Sequence, residues 1–76
     1  ASFKYYPNPV GNILTVSYSE AITVLKLYNM VGQQLMIKSV NSNETQLDMS
    51  SLPAGSYLLE VAAGSKSKIV KLIKNK

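Results

Sequence analysis

Seventy-six residues, 46% of them hydrophobic and 16% charged, make one small domain with a core, and no apolar run approaches the roughly 20 residues that cross a bilayer. Eight lysines against four acids give a net charge of +4, with no arginine, histidine or cysteine in the chain. That removes the commonest general base and metal ligand, the bidentate phosphate clamp and any disulfide framework.

In chain order, "FKYY" reads as a short first strand, followed by the turn "PNPVGN" at residues 7–12. Neither Pro7 nor Pro9 can donate a ladder bond, so this stretch belongs at a strand end or on an edge, and Asn8 before a proline is biased toward extended geometry. "ILTVSY" and "ITVLKLY" come next. Leu14, Val16 and Tyr18 alternate with Thr15 and Ser17, and Leu25 and Leu27 alternate with Val24 and Lys26, as half-buried strands require. A helix over "SEAITVLKLYNMV", capped by Ser19, competes here, but Ile22, Thr23 and Val24 are stiff at χ1 and favour strand.

"NMVGQ" fits a type I turn closed by Gly32 in a left-handed conformation, returning as a hairpin into "QQLMIKSV". "NSN" at 41–43 reads as the next turn, before "TQLDM"; the overlapping "NET" fits a glycosylation sequon, a motif too short to be specific. At "MSSLPAG", Asp48 or Ser50 can accept backbone N–H bonds, Pro53 fixes φ and Gly55 permits a positive one. "SYLLEV" turns Tyr57, Leu59 and Val61 inward and Glu60 outward, "AGSKS" makes the last turn, and "KIVKLIK" follows. Short β-branched and aromatic runs between turns at this spacing predict an all-β, immunoglobulin-like β-sandwich of about seven short antiparallel strands.

Little in the chain points to catalysis. The carboxylates Glu20, Glu44, Asp48 and Glu60 are scattered, serines lack a histidine or cysteine partner, and Gly11, Gly32, Gly55 and Gly64 sit in separate turns, so no phosphate loop and no cofactor or metal site is expected. Five lysines lie from Lys66 onward and no acid follows Glu60. As a helix, "KSKIVKLIKNK" would gather Lys68, Lys71 and Lys74 on one face, suiting a membrane surface. As a strand it places Ile69, Lys71 and Ile73 on one side and Val70, Leu72 and Lys74 on the other. Its shortness and its β-branched residues favour a closing strand whose lysines blunt edge pairing. Nucleic-acid binding fits less well, because Tyr5, Tyr6, Tyr18, Tyr28 and Tyr57 are not interleaved with the basic cluster.

Taken as an ordered set, "YPNPVGN", "LYNMVGQQL", "LDMSSLPAGSYLLEV" and "KIVKLIK" resemble the type A C-terminal sorting domain of the type IX (Por) secretion system of Bacteroidota. The resemblance spans residues 6–74. Pro7, Asn8 and Pro9 match the opening motif, Gly32 the central turn, and Leu52, Pro53, Gly55 and Tyr57 the late turn and strand. Lys68, Ile69, Val70, Lys71, Leu72, Ile73 and Lys74 match the terminal signal, with Asn75 and Lys76 extending past the usual stop. The resemblance implies a single domain at the C-terminal end of a larger secreted precursor, consistent with an Ala at position 1 in a start that does not read as a secretory signal. It further implies an attached N-terminal cargo, transit through the periplasm, and recognition by the translocon and its shuttle components. Removal by a sortase-like cysteine peptidase before or near Ala1 would leave the cargo at the outer-membrane surface or outside the cell. Weak self-association through an open edge or the "YPNP" end is also compatible. An adhesion or carbohydrate-binding sandwich appended to a secreted enzyme is the competing reading, disfavoured by the absence of tryptophan.

Overall fold

The computed structural model describes residues 3–75, in which every regular element is a β-strand. Five strands follow in order: β1 (Phe3–Tyr6), β2 (Ile13–Tyr28), β3 (Gln34–Asp48), β4 (Gly55–Ala63) and β5 (Lys66–Lys74). All named pairings are antiparallel. β3 lies along one side of β2 from end to end; β1 takes the other side at Thr15 to Tyr18, and β4 takes that side at Val24 to Tyr28. β5 pairs outside β4. The sheet curls over itself, so β1 with the first half of β2 and the end of β3 forms one layer. The start of β3, the second half of β2, β4 and β5 form the other.

The seven expected runs are all present, but two pairs have merged, which corrects the strand count to five. "ILTVSY" and "ITVLKLY" are one strand, as are "QQLMIKSV" and "TQLDM". The turn expected at 41–43 is strand. No glycine or proline in "NSN" breaks the ladder, and the change of direction is absorbed by register shifts between Ser17 and Ile22 and between Ile22 and Val24. Asn43 Nδ2 donates to the Ser19 carbonyl at 3.2 Å and ties the bend down. The bend also explains a phase change in the sequence. Leu14, Val16, Tyr18 and Ile22 are buried at even positions, whereas Leu25 and Leu27 are buried at odd ones. The irregular pairing between Ser17 and Val24 lets the phase change while both halves keep facing one core.

That core is a single cluster drawn from both layers, with Leu14, Val16, Leu27, Leu59 and Leu72 among the residues almost wholly removed from water. Each such side chain contributes about 1.5–3 kcal/mol. Tyr18 and Tyr57 are core residues as expected, and Phe3 packs edge-on against Tyr18 with ring centroids 5.9 Å apart.

The turns behave as their residues dictate. Gly32 takes φ of 90°, and its N–H donates to the Asn29 carbonyl at 3.0 Å. Asn29 Oδ1 accepts the N–H groups of Val31 and Gln33 at 3.1 and 2.9 Å. Of the two candidates for the later turn, Asp48 is the acceptor, taking the Ser50 N–H at 2.9 Å, and hydrogen bonding to Ser50 holds its carboxyl below the usual carboxylate range. Tyr57 closes the same turn by donating its hydroxyl to the Pro53 carbonyl, the geometry of a tyrosine corner. Gly55, at φ of 155°, leads into β4.

Candidate functional site

β5 carries the residues singled out as the terminal signal, and it is a strand from Lys66 to Lys74 rather than a helix or loose tail. Pairing with β4 runs without interruption from Gly55 opposite Lys74 to Ala63 opposite Lys66. β-branched Ile69, Val70 and Ile73 suit that ladder. The alternation sorts the segment into two faces. Val70, Leu72 and Lys74 point inward, with Leu72 fully buried, whereas Ile69, Lys71 and Ile73 face out, Ile69 being 64% exposed. Lys68 belongs to the inward row but sits beyond the core, exposed beside Phe3, Tyr18 and Val61 at a small hollow with room for about one water.

The loop carrying the opening motif is fastened to the end of β5. Asn8 Oδ1 accepts the N–H of Ile73 at 3.1 Å. The Val10 N–H donates to the Ile73 carbonyl at 2.7 Å, and the Asn75 N–H donates to the Val10 carbonyl at 2.8 Å, closing a parallel bridge between Val10 and Lys74. Val10 is fully buried and plugs the end of the core. The prolines around Asn8 leave no competing N–H on this loop at 7 and 9, and both prolyl peptides, Tyr6–Pro7 and Asn8–Pro9, are cis. Asn8, 65 residues from Ile73 in sequence, lies against it in space.

The lysines do not act as one basic stripe. Lys66 Nζ lies 2.7 Å from Glu20, and that hydrogen bond raises its pKa. Lys74 is only 4% exposed, and its ammonium donates to the Asn75 carbonyl at 2.7 Å. Lys68 and Lys71 are therefore the lysines of β5 left to meet a partner. On the outer face of the same layer, Tyr28 donates its hydroxyl to Glu60 at 3.0 Å, which raises the tyrosine's pKa. Among the described residues no grouping of His, Cys, Asp or Glu is arranged to hold a metal ion.

The other motif residues are brought together only in part. Leu52 packs against the core, and Pro53, Gly55 and Tyr57 form one corner with it, but Gly32 stands alone in the β2–β3 hairpin. Sequence reasoning missed Val10 and the grip of Asn8 on β5. The available signal was an apolar residue embedded in an otherwise polar turn, with an asparagine held between two prolines. The readings placed on Ala1 and Lys76 lie outside the described residues.

Comparison with known proteins bears on the fold and the family. A structure of PorZ, described as an essential bacterial surface component of the type IX secretion system of Porphyromonas gingivalis, superposes with a TM-score of 0.78 at 17% identity over 99% of this chain. The chain spans 12% of that protein, and at this identity the likeness speaks for the fold. Among curated proteins none matches significantly. The family model for the secretion system C-terminal sorting domain matches residues 4–75, from β1 to the residue that clasps Val10. The chain belongs to that family, and it is a sorting domain of the type IX (Por) secretion system.

Proposed function

We propose that this domain is the non-enzymatic end of a larger precursor, which it leads through the periplasm to the type IX translocon and out to the cell surface or medium. A cargo of unspecified activity precedes it, translocon and shuttle components receive it, and a sortase-like cysteine peptidase removes it upstream of β1. The readout is the folded end of the chain, Lys68 to Lys74. Val70, Leu72 and Lys74 hold that strand in the sandwich, while Lys68, Ile69, Lys71 and Ile73 present it. One observation supports this reading above others: the segment is fixed on both flanks at its end, yet offers exposed Ile69 and Lys71 from an outer strand. A signal displayed on a rigid strand binds without the ordering cost a floppy tail would incur.

Fusing residues 1–76 behind a periplasm-exported fluorescent protein, in a host with this secretion system, tests the proposal. Export to the medium is expected, and its loss on deleting residues 73–76. A reporter that stays periplasmic, or a deletion without effect, contradicts it.

A further inference from the structure

β5 has one flank open over most of its length. In an antiparallel ladder a residue directs both its N–H and C=O toward the partner strand or both away from it. Ile73 directs both away from β4, because they bond to Asn8 and Val10 instead. By alternation the N–H and C=O of Ser67, Ile69 and Lys71 face the same way, and among the described residues no backbone group meets them. β1 does not pair with this flank, since no Cα of β1 comes within 8 Å of one in β5, although the Phe3 side chain borders the hollow at Ser67 and Lys68. The chain itself shows that the flank accepts strand pairing: Val10 has added to it in parallel at Lys74.

From this edge we infer a docking site for an extended segment of a partner protein, added as a strand beside Ser67–Ile69–Lys71 and ending where the Asn8–Val10 loop begins. The side chains give its chemistry. Ile69 calls for an apolar neighbour, while Lys68 on one face and Lys71 on the other call for acidic ones. The same lysines disfavour a second copy of this edge, which would set like charges opposite each other. The other edges are poorer. β1 has four residues and runs into Pro7, and β3 is broken by register shifts and has its Gln46 carbonyl taken by Lys38. The identity of the partner as part of the secretion machinery rests on the sorting reading above; the edge itself does not.

The test uses the 76-residue chain and a blocked twelve-residue peptide repeating Val-Val-Glu-Glu, which as a strand carries both residue types on each face, with the Val-Val-Lys-Lys counterpart as control. Amide NMR shifts confined to residues 66–72 on adding the acidic peptide, and not the basic one, are expected. Ile69→Pro removes one outward N–H and no bond to β4, so it should weaken that binding at least tenfold with the thermal midpoint nearly kept. If the proline lowers the midpoint substantially, a synthetic chain N-methylated at Ile69 replaces it and keeps the side chain. Equal binding by both peptides, shifts on β1 or β3, dimerisation through β5 in place of peptide binding, or full binding by the blocked variants each overturns the inference. Carried into the secreted fusion, Ile69→Pro should abolish export. Peptide binding with export untouched by the blocked edge removes the edge from sorting while the sorting reading stands. Failure of the unmodified fusion to leave the cell sinks that reading and leaves the edge result intact.

Discussion

The carboxamide of Asn8 accepts the backbone N–H of Ile73 at 3.1 Å, joining the loop after β1 to the end of β5. The first and last family motifs are thereby one structural unit. Losing the acceptor costs about 1 kcal/mol, a typical net hydrogen-bond contribution. Asn8→Ala should therefore speed hydrogen exchange at Ile73 and Asn75 while the β4–β5 ladder stays protected, and Asn8→Asp, which keeps the acceptor, should restore it. Unchanged exchange at Ile73 in Asn8→Ala argues that the bond is not made in solution.

Tyr57 anchors the "LPAG" turn from the core. Tyr57→Phe keeps the ring and removes the hydroxyl that bonds Pro53, so a loss of about 0.5–1.5 kcal/mol is expected by denaturant titration. Tyr57→Ala also empties a buried ring site, and a loss of about 3–5 kcal/mol follows. Similar values for the two variants would show that the hydroxyl, not the ring, holds the corner.

Much of this was legible before the fold. Leu14, Val16 and Tyr18, and again Tyr57, Leu59 and Val61, declare their faces because a strand has period two and one side meets water. The division of β5 into Val70, Leu72 and Lys74 on one face and Ile69, Lys71 and Ile73 on the other was legible for the same reason, but with one lysine on each mostly apolar face the sequence does not say which turns inward. What periodicity cannot show is whether two runs separated by polar residues are joined by a turn or a bulge. "NSN" contains turn-prone residues, yet the bend it occupies is made by cross-strand register, a property of β2 and β3 together. The clasp of Asn8 on Ile73 is likewise a product of topology, invisible to any local window. The charge of the last segment misled for a related reason. Burial of Lys74 and pairing of Lys66 with Glu20 are tertiary facts, and they leave two lysines of β5 displayed where the sequence suggests four.

Lys74 gives a sharper contrast. Its side chain is buried, and its ammonium reaches the Asn75 carbonyl. Lys74→Met keeps the volume and should change stability by less than about 1.5 kcal/mol. Lys74→Glu buries a carboxylate against a carbonyl oxygen and should cost about 3 kcal/mol or more. Equal tolerance of both would place the side chain in solvent.

Alkaline pH should erode stability through two groups. Lys66 and Tyr28 both have folded pKa values raised above their ordinary 10.5 and 10.0, by hydrogen bonds to Glu20 and Glu60 respectively. A raised pKa means the folded state binds more protons, so the contribution is complete below the ordinary value and disappears as pH climbs through the folded one. The thermal midpoint should fall above pH of about 10. Glu20→Gln should flatten the Lys66 part of that fall and Glu60→Gln the Tyr28 part. A fall unchanged in the double variant would assign the alkaline loss to other groups.

On the proposed reading, the secretion system reads the displayed face of the folded β5. The direct measurement is the fraction of a fluorescent cargo fusion recovered in the medium for Ile69→Asp/Lys71→Glu, compared with the parent chain. Both variant residues lie outside the core, so thermal unfolding of the two domains should nearly coincide. The parent should be exported and the variant held in the periplasm. Export of the variant at the parent's level, with both domains folded, would contradict it.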